Sequence, residues 1–166
     1  IAQVEGVVTD SRVQFRPQAA DAYYDTAVTL EDAANLDMFN GSGAIGTVLM
    51  APIVLNGLAH FQIGDSLCTI SNVISGPGGF YLDNFNNTLV FTATNTYTGV
   101  TDIRAGRTLA LAGNGSIAGS SNILLAAGAT LSVTNRTDGT LTLASGQTLG
   151  GNGIVRGNLV TSPGST

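Results

Sequence analysis

The sequence predicts an all-β fold, a parallel β-solenoid (β-helix) with rungs of about 18–22 residues. Two ladders of apolar residues lead to this prediction. The first consists of leucines that recur at a nearly constant interval, each preceded by serine or threonine: Leu67, Leu89, Leu109, Leu131 and Leu149. The second ladder has a similar interval: Phe61, Leu82, Ile103, Ile123, Leu141 and Leu159. A fixed period of about 20 residues is typical of stacked repeats.

Short alternating runs within the repeats, such as Leu131-Ser-Val133 and Leu141-Thr-Leu143, predict strands. Alternation with period two places one side chain inside and the next outside. A single rung cannot bury its apolar side alone, so we expect each strand to pair in parallel with equivalent strands about 4.8 Å above and below. The leucine ladder is then predicted to point inward. A hydroxyl ladder is predicted to point outward: Ser66, Thr88, Thr108, Thr130 and Thr148.

The composition agrees with one turn-rich β-domain. The chain has 166 residues, of which 43% are hydrophobic and 10% charged, with 22 glycines and no tryptophan. A net charge of −5 argues against nucleic acid and anionic membranes as partners, because neither would attract an acidic chain. The longest apolar stretch, 44–61, is interrupted by Gly46, Pro52 and Gly57, so it predicts two strands rather than a membrane span: Thr47–Met50 and Ile53–Leu55.

The amino-terminal segment, 1–40, differs from the rest of the chain. It contains seven of the eleven acidic residues and little of the repeat. Thr29-Leu-Glu-Asp32 has the form of a capping box and predicts a short helix that runs to Leu36. We therefore predict an N-terminal cap and assembly segment over 1–40, with irregular strands around Val13 and Phe15, and a β-helix over 41–166.

At the other end, the segment Asn158–Thr166 stops within a repeat. We expect its last rung either to continue in a longer solenoid or to meet the first rung of another copy, which would give a head-to-tail filament. The residues predicted to form this assembly interface come from both ends of the chain: Val4, Val7, Leu159, Val160 and Thr166.

Few residues point to reaction chemistry, and the sequence predicts neither an enzyme nor a cofactor or metal site. Cys68 is the only cysteine and cannot form an intrachain disulfide. We place it on the strand face opposite the leucine ladder, as a buried small residue, with an exposed thiol that links subunits as the alternative. His60 is the only histidine and is interpreted as structural. Two glycine-rich turns, at 78–79 beside Asp83 and at 150–153, have only part of a calcium-repeat pattern, because regularly spaced aspartates are lacking.

Two alternatives concern polysaccharides. Asp102 and Arg104 lie two residues apart and therefore on one strand face, and Asp83 precedes them by one rung. Such a group could serve a lyase or hydrolase, although a solvated ion pair is the simpler interpretation. Tyr97 together with Asp102 and Arg104 forms a candidate glycan-binding face, to which Tyr23, Tyr24 and Tyr81 could add aromatic rings. In the simpler interpretation the tyrosines cover corners and Phe80 packs inward.

The order of several short motifs resembles a known family. Asn95-Thr-Tyr-Thr-Gly99 is followed by Thr101-Asp-Ile103, by Ala105-Gly-Arg-Thr-Leu109 and later by Gly151-Asn-Gly-Ile-Val155. This order is similar to the autotransporter-associated β-strand repeat of bacterial passenger domains, over about Ser66–Thr166. The chain departs from the pattern at Phe80–Asn86. The resemblance implies a right-handed parallel β-helix displayed outside the cell, and it implies no catalytic residues.

Together these observations predict an extracellular, cell-surface structural β-solenoid. In the preferred version it is a subunit of a filament or matrix whose main partner is another copy of itself. The first alternative is an adhesin-like passenger module that binds surface glycans. The second alternative is a polysaccharide lyase or hydrolase.

Overall fold

A computed structural model describes residues 7–8, 12–15, 27–38, 47–64, 66–83 and 87–166. The described part is all-β, and its strands stack in parallel as a β-solenoid, which confirms the predicted fold class. No helix occurs in these residues, and therefore none that is long and apolar enough to cross a membrane. Val4 lies outside the described residues, and the right-handed turn of the coil stays a prediction.

The strands are short, as the corners of a solenoid require. Those of the amino-terminal half are β1 (Val7–Val8), β2 (Arg12–Phe15), β3 (Val28–Leu30), β4 (Asn35–Met38), β5 (Thr47–Leu49), β6 (Ile53–Leu55), β7 (Leu58–Ile63), β8 (Leu67–Ile70), β9 (Ile74–Ser75) and β10 (Gly79–Asp83). Those of the carboxy-terminal half are β11 (Thr88–Phe91), β12 (Thr101–Ile103), β13 (Thr108–Gly113), β14 (Asn122–Leu125), β15 (Thr130–Arg136), β16 (Thr140–Leu143), β17 (Thr148–Gly151), β18 (Ile154–Arg156) and β19 (Asn158–Thr161).

The strands form four parallel sheets that run along the stack. The first sheet has the order β1-β3-β6-β9, and the second, seven-stranded sheet has the order β17-β14-β12-β10-β7-β4-β2. The third, six-stranded sheet has the order β18-β15-β13-β11-β8-β5, and β16 pairs with β19 in the fourth. Sequence neighbours such as β6, β7 and β8 lie in different sheets, so one turn of the coil contributes one strand to each sheet that it crosses.

The prediction of an inward leucine ladder is correct for its three middle members. It is wrong for Leu67, which points outward, and for Leu149, which lies in a different sheet. Leu89, Leu109 and Leu131 lie in register in the six-stranded sheet and are buried. Cys68, not Leu67, is aligned with Leu89, and Leu67 points outward with 45% of its surface exposed. Leu149 lies in the seven-stranded sheet, opposite Ile123. A shift of one residue exchanges the two faces of a strand, and burial of Ile70 together with Cys68 determines which face is inside.

Cys68 is accordingly buried on the same side as the leucine ladder, which corrects its predicted face and confirms its predicted burial. Its thiol lies 3.7 Å from the carbonyl oxygen of Met38.

The second ladder is confirmed for Phe61, Leu82 and Ile103, which are aligned and fully or almost fully buried. It changes at the next rung, where Leu125 lies opposite Ile103 and Ile123 lies opposite Thr101. The last two members, Leu141 and Leu159, pair with each other in the fourth sheet. The interval along the chain thus stays nearly constant although the ladder positions move from the seven-stranded sheet to the fourth sheet.

The predicted short helix is wrong. Residues 28–38 form β3, a turn and β4, and Ala33 in the turn has φ of 60°. Instead of capping a helix, the Asp32 carboxylate accepts a hydrogen bond from the backbone N–H of Leu58 on the next rung, at 3.0 Å. Parallel pairing of β4 with β7 overrides the local helix signal and joins strands from both predicted segments, 1–40 and 41–166, in one sheet. The role of 1–40 as a cap stays a prediction.

The outward hydroxyl ladder is confirmed at its three central positions. Thr88, Thr108 and Thr130 lie in register on the outside of the six-stranded sheet. The column ends in Leu67 and Ile154, not in Ser66 and Thr148, because Thr148 pairs with Asn122 in the seven-stranded sheet.

Buried polar side chains connect successive rungs inside the loops. The Asn95 side chain accepts a hydrogen bond from the Ile74 N–H at 2.9 Å and donates one to the Ser116 carbonyl at 3.0 Å. It therefore links the rung below to the rung above. Tyr97 is fully buried, and its hydroxyl lies 2.5 Å from the Thr101 hydroxyl. These loops are held by specific hydrogen bonds rather than by apolar contact alone.

Candidate functional site

The outer face of the seven-stranded sheet carries most of the ordered charge of the described chain. Two adjacent outward columns follow from the strand register. One contains Arg12, Asn35, His60, Tyr81, Asp102 and Leu124, and the other contains Asp37, Gln62 and Asp83. Because parallel strands repeat every ~4.8 Å, these side chains form a continuous polar surface along the stack.

Three ion pairs neutralise this outer face. Arg12 contacts Asp37, the Arg104 Nε atom lies 2.8 Å from an Asp102 oxygen, and the Arg107 Nη2 atom lies 3.2 Å from an Asp83 oxygen. The Arg104 side chain is 50% exposed, so its ion pair contributes at most about 1 kcal/mol to stability. Each of these aspartates therefore has an arginine beside it.

His60 and Tyr81 form the centre of the face. Their rings stack with centroids 4.4 Å apart and an interplanar angle of 17°. The Arg104 guanidinium lies 5.1 Å from the centroid of the Tyr81 ring. The Tyr81 ring is thus stacked on the rung below and contacted by a cation from the rung above. The His60 Nδ1 atom shares a hydrogen bond of 3.1 Å with the Gln62 amide.

Partial burial lowers the pKa of His60 below its ordinary value of 6.5. The negative charge of Asp83 raises the pKa of His60, the positive charge of Arg104 lowers it further, and the negative charge of Asp37 raises it; these effects are smaller than that of burial. The folded protein therefore favours the neutral ring. Stability from this residue is fully present above pH 6.5 and is lost as the pH falls through the lowered folded-state pKa, because protonation is easier in the unfolded chain.

We therefore expect the melting temperature of the wild-type protein to fall more on acidification than that of His60→Gln, which cannot titrate at this position. Thermal unfolding followed by circular dichroism at a series of pH values measures the difference between the two proteins. It should be constant above pH 6.5 and should change below it. Parallel melting curves across the whole range would contradict the assignment.

The predicted glycan-binding residues do not come together. Asp102 and Arg104 share the outer face, as predicted from their spacing. The prediction that Tyr97 lies on the surface is wrong, because its side chain is fully buried. Burial raises the pKa of its hydroxyl. It packs edge to face against Phe80, with ring centroids 5.7 Å apart. Phe80 points inward, as expected.

The aromatic residues that do lie on the outer face are His60 and Tyr81; Tyr81 is among the aromatic candidates for sugar binding, and His60 is interpreted from the sequence as structural. Their separation along the chain equals the first interval of the second ladder, Phe61 to Leu82, and could have indicated that they are stacked.

The group suggested for polysaccharide cleavage is arranged as ion pairs. Asp83 is bonded to Arg107, and Asp102 is bonded to Arg104. A cleaving site needs one carboxylic acid that keeps its proton and a second carboxylate that acts as base or nucleophile. Here both carboxylates are occupied by arginine side chains of the same face, and neither is set apart from the other as acid and base. Among the described residues, no group of three or more His, Cys, Asp or Glu side chains is arranged to hold a metal ion.

The predicted assembly residues can be placed in part. Val7 belongs to β1 and is paired with Thr29 of β3. Leu159 and Val160 of β19 are 47% and 50% exposed. The backbone of Thr166 accepts a hydrogen bond from the Leu149 N–H at 2.7 Å and donates one to the Gln147 carbonyl at 3.2 Å. Leu159 and Val160 therefore belong to the rung formed by β17, β18 and β19, whereas Thr166 lies over β17 at the start of the following turn.

Comparison with known proteins found no match: no protein-family model, no curated protein and no solved structure is detectably similar to this chain.

Proposed function

We propose that this chain is an extracellular structural β-solenoid that assembles end to end with further copies of itself into a filament or matrix. The observation that supports this proposal is the exposed apolar surface of the last rung. Its inward positions, Leu149, Val155 and Leu159, are aligned with Ile123, Leu131 and Leu141 of neighbouring rungs. The three aligned partners are at most 5% exposed, whereas Leu159 is 47% exposed and Leu149 and Val155 are only partly buried.

β18 and β19 have strand partners on one side only within the described chain, and the free side of β17 is bonded at Leu149 by Thr166. β17, β18 and β19 each lie at the edge of a sheet, and Ile154 on β18 is 50% exposed. Edge strands present unpaired backbone N–H and C=O groups, which form a template for another strand. A parallel rung placed on this edge would both complete the hydrogen bonds and cover the apolar positions.

The opposite edge of the six-stranded sheet differs. Among the described residues β5 is the edge strand there, and its inward residues Thr47 and Leu49 are 1% and 0% exposed. The two ends of this sheet are therefore not equivalent surfaces. Contacts between unlike ends are heterologous, and such contacts extend into filaments when they do not close into a ring.

The extracellular assignment rests on composition and on the motif resemblance. Only 10% of the residues are charged, and the outward threonines and asparagines give a polar, weakly charged surface. The glycan-binding alternative has less support because Tyr97 is buried, and the cleavage alternative has less support because both aspartates are held in ion pairs.

The test is to introduce Leu159→Glu, which places a charge on the exposed inward position of β19. Wild-type protein should form oligomers whose mass rises with concentration, whereas this variant should remain monomeric. Size-exclusion chromatography with light scattering, and electron microscopy of the wild type, measure the two states. Thr142→Glu is the matched control, because Thr142 is an exposed outward residue one rung earlier on β16, and it should assemble normally. A wild-type protein that stays monomeric at every concentration would overturn the proposal.

A further inference from the structure

The outer face of the six-stranded sheet differs in character from that of the seven-stranded sheet. Its outward positions on β8, β11, β13 and β15 are here called the threonine face. They are Leu67, Thr69, Thr88, Val90, Thr108, Ala110, Thr130 and Ser132. None of these eight residues is charged or aromatic. The two outer faces thus offer different chemistry to the surroundings.

The residues of the threonine face are aligned in two regular columns. Thr88, Thr108 and Thr130 are direct partners in neighbouring strands, and Val90, Ala110 and Ser132 are partners two residues further along. The pairing between β13 and β15 becomes irregular only beyond Ala110. Within a column the side chains therefore repeat every ~4.8 Å, and the two columns lie about 6.6–6.8 Å apart along the strands.

The threonine hydroxyls on this face have no hydrogen-bond partner in the described part of the chain. This holds for Thr69, Thr88, Thr108 and Thr130, whereas the hydroxyls of Thr94, Thr101, Thr137, Thr140 and Thr148 are all bonded to protein groups. Each free hydroxyl can donate one hydrogen bond and accept two. Since the backbone fixes the spacing of the threonine Cβ atoms, hydroxyls in the same rotamer hold bound water at that spacing.

Within one chain, the size and chemistry of the threonine face differ from those of the usual binding surfaces. Four strands and two columns cover roughly 200–300 Å², well below the ~800 Å² that each partner buries in a stable protein interface. The eight residues of the face carry no charge for an ionic ligand, and the nearest charge along its columns is Arg156, the partner of Ser132 on β18. It also lacks the aromatic side chains that dominate small-molecule pockets, and the outside of a sheet is not the concave surface that such pockets need.

We propose that the threonine face binds ice. An ice surface is flat, uncharged and periodic, and it consists entirely of hydrogen-bond donors and acceptors. The threonine column supplies hydroxyls at a regular spacing, and the methyl groups of Thr, Val90 and Ala110 fill the space between them. Repeats of this size are similar to those between oxygen atoms on exposed planes of hexagonal ice. Ordered water bound to the hydroxyls can therefore merge with the crystal without rearrangement of the protein.

The experiment measures how purified protein distributes between a slowly growing ice hemisphere and the remaining liquid. Wild-type protein should be enriched in the ice and should inhibit ice recrystallisation. Thr108→Lys places a long, charged side chain at the centre of the face and should reduce enrichment to the level of a protein that does not bind ice. Thr130→Lys should have the same effect, so the result does not depend on the folding of one variant.

Thr142→Lys is the control, since this exposed threonine lies on the fourth sheet, outside the threonine face, and it should remain enriched. Circular dichroism and the resistance of buried Cys68 to thiol reagents show that each variant is folded. The proposal is overturned if wild-type protein is not enriched in ice. It is equally overturned if folded Thr108→Lys and Thr130→Lys proteins are both still enriched, or if Thr142→Lys loses enrichment as well.

Discussion

Replacement of Phe80 by alanine should lower the free energy of unfolding by about 3–5 kcal/mol, the range for loss of a buried phenylalanine. Phe80 is fully buried and stands at the centre of an aromatic cluster. Its ring stacks on Phe61 with centroids 4.5 Å apart, and it meets Phe91 and Tyr97 edge to face at 5.7 Å each. These three residues lie on different sides of the coil, so loss of the ring leaves a cavity shared by several strands.

Tyr81 provides the matched control for this change. It is the next residue on β10, is aromatic, and points to the outside. Tyr81→Ala removes the stacking on His60 but creates no internal cavity, so we expect a loss of about 1 kcal/mol. Urea denaturation of both variants measures the difference. Equal losses for the two variants would show that the inward and outward assignments of β10 are wrong.

Replacement of Gly78 by alanine should destabilise the protein by about 3 kcal/mol or more, because backbone atoms, and not flexible side chains, occupy the required space. A Cβ atom on Gly78 would lie 2.2 Å from the carbonyl oxygen of Gly57 and 2.8 Å from that of Leu55. The next rung repeats this arrangement, since a Cβ atom on Gly99 would lie 2.4 Å from the Gly78 carbonyl group. The three glycines form a column in which successive backbones are in direct contact.

Gly150→Ala is the control for the glycine column. A Cβ atom there would meet only the Leu124 Cδ2 atom, at an ordinary contact distance of 3.8 Å. We expect this variant to be within about 1 kcal/mol of the wild type, because alanine also restricts the unfolded chain. Thermal or urea unfolding of the two alanine variants compares the sites directly. If Gly78→Ala unfolds like Gly150→Ala, successive rungs cannot approach as closely as described.

The solenoid could be predicted because the apolar residues that bury each rung recur along the whole repeat region of the sequence, with a period of about 20 residues. An apolar residue at a fixed interval is needed wherever a rung covers the rung below, so the period survives local variation. The register at the ends of the ladder could not be read from the same signal. Ser66-Leu67 matches the Thr-Leu pairs of later rungs, but Cys68 and Ile70 are the buried residues of that strand. Burial on one face of the strand decides the register, and a local dipeptide does not.

The predicted helix at Thr29–Leu36 and the predicted exposure of Tyr97 failed for related reasons. A capping box is a local pattern, whereas the β4–β7 pairing depends on residues of the next rung. Tyr97 follows a polar loop sequence, yet Thr101 and Ser120 provide a buried hydroxyl chain that allows its side chain to point inward. The pairing of His60 with Tyr81 was predictable in principle, because the ladder interval already specified which residues are neighbours.

The glycine column also constrains how such a protein can change length during evolution. Where one backbone rests directly on the next, a corner tolerates no extra bulk, and a single inserted residue would displace every contact that follows. Duplication of an entire repeat meets no such obstacle, since it lengthens the rod by one step of about 4.8 Å and leaves its cross-section unchanged. Lineages of this protein should therefore differ by whole repeats, with small insertions confined to loops away from Gly57, Gly78 and Gly99.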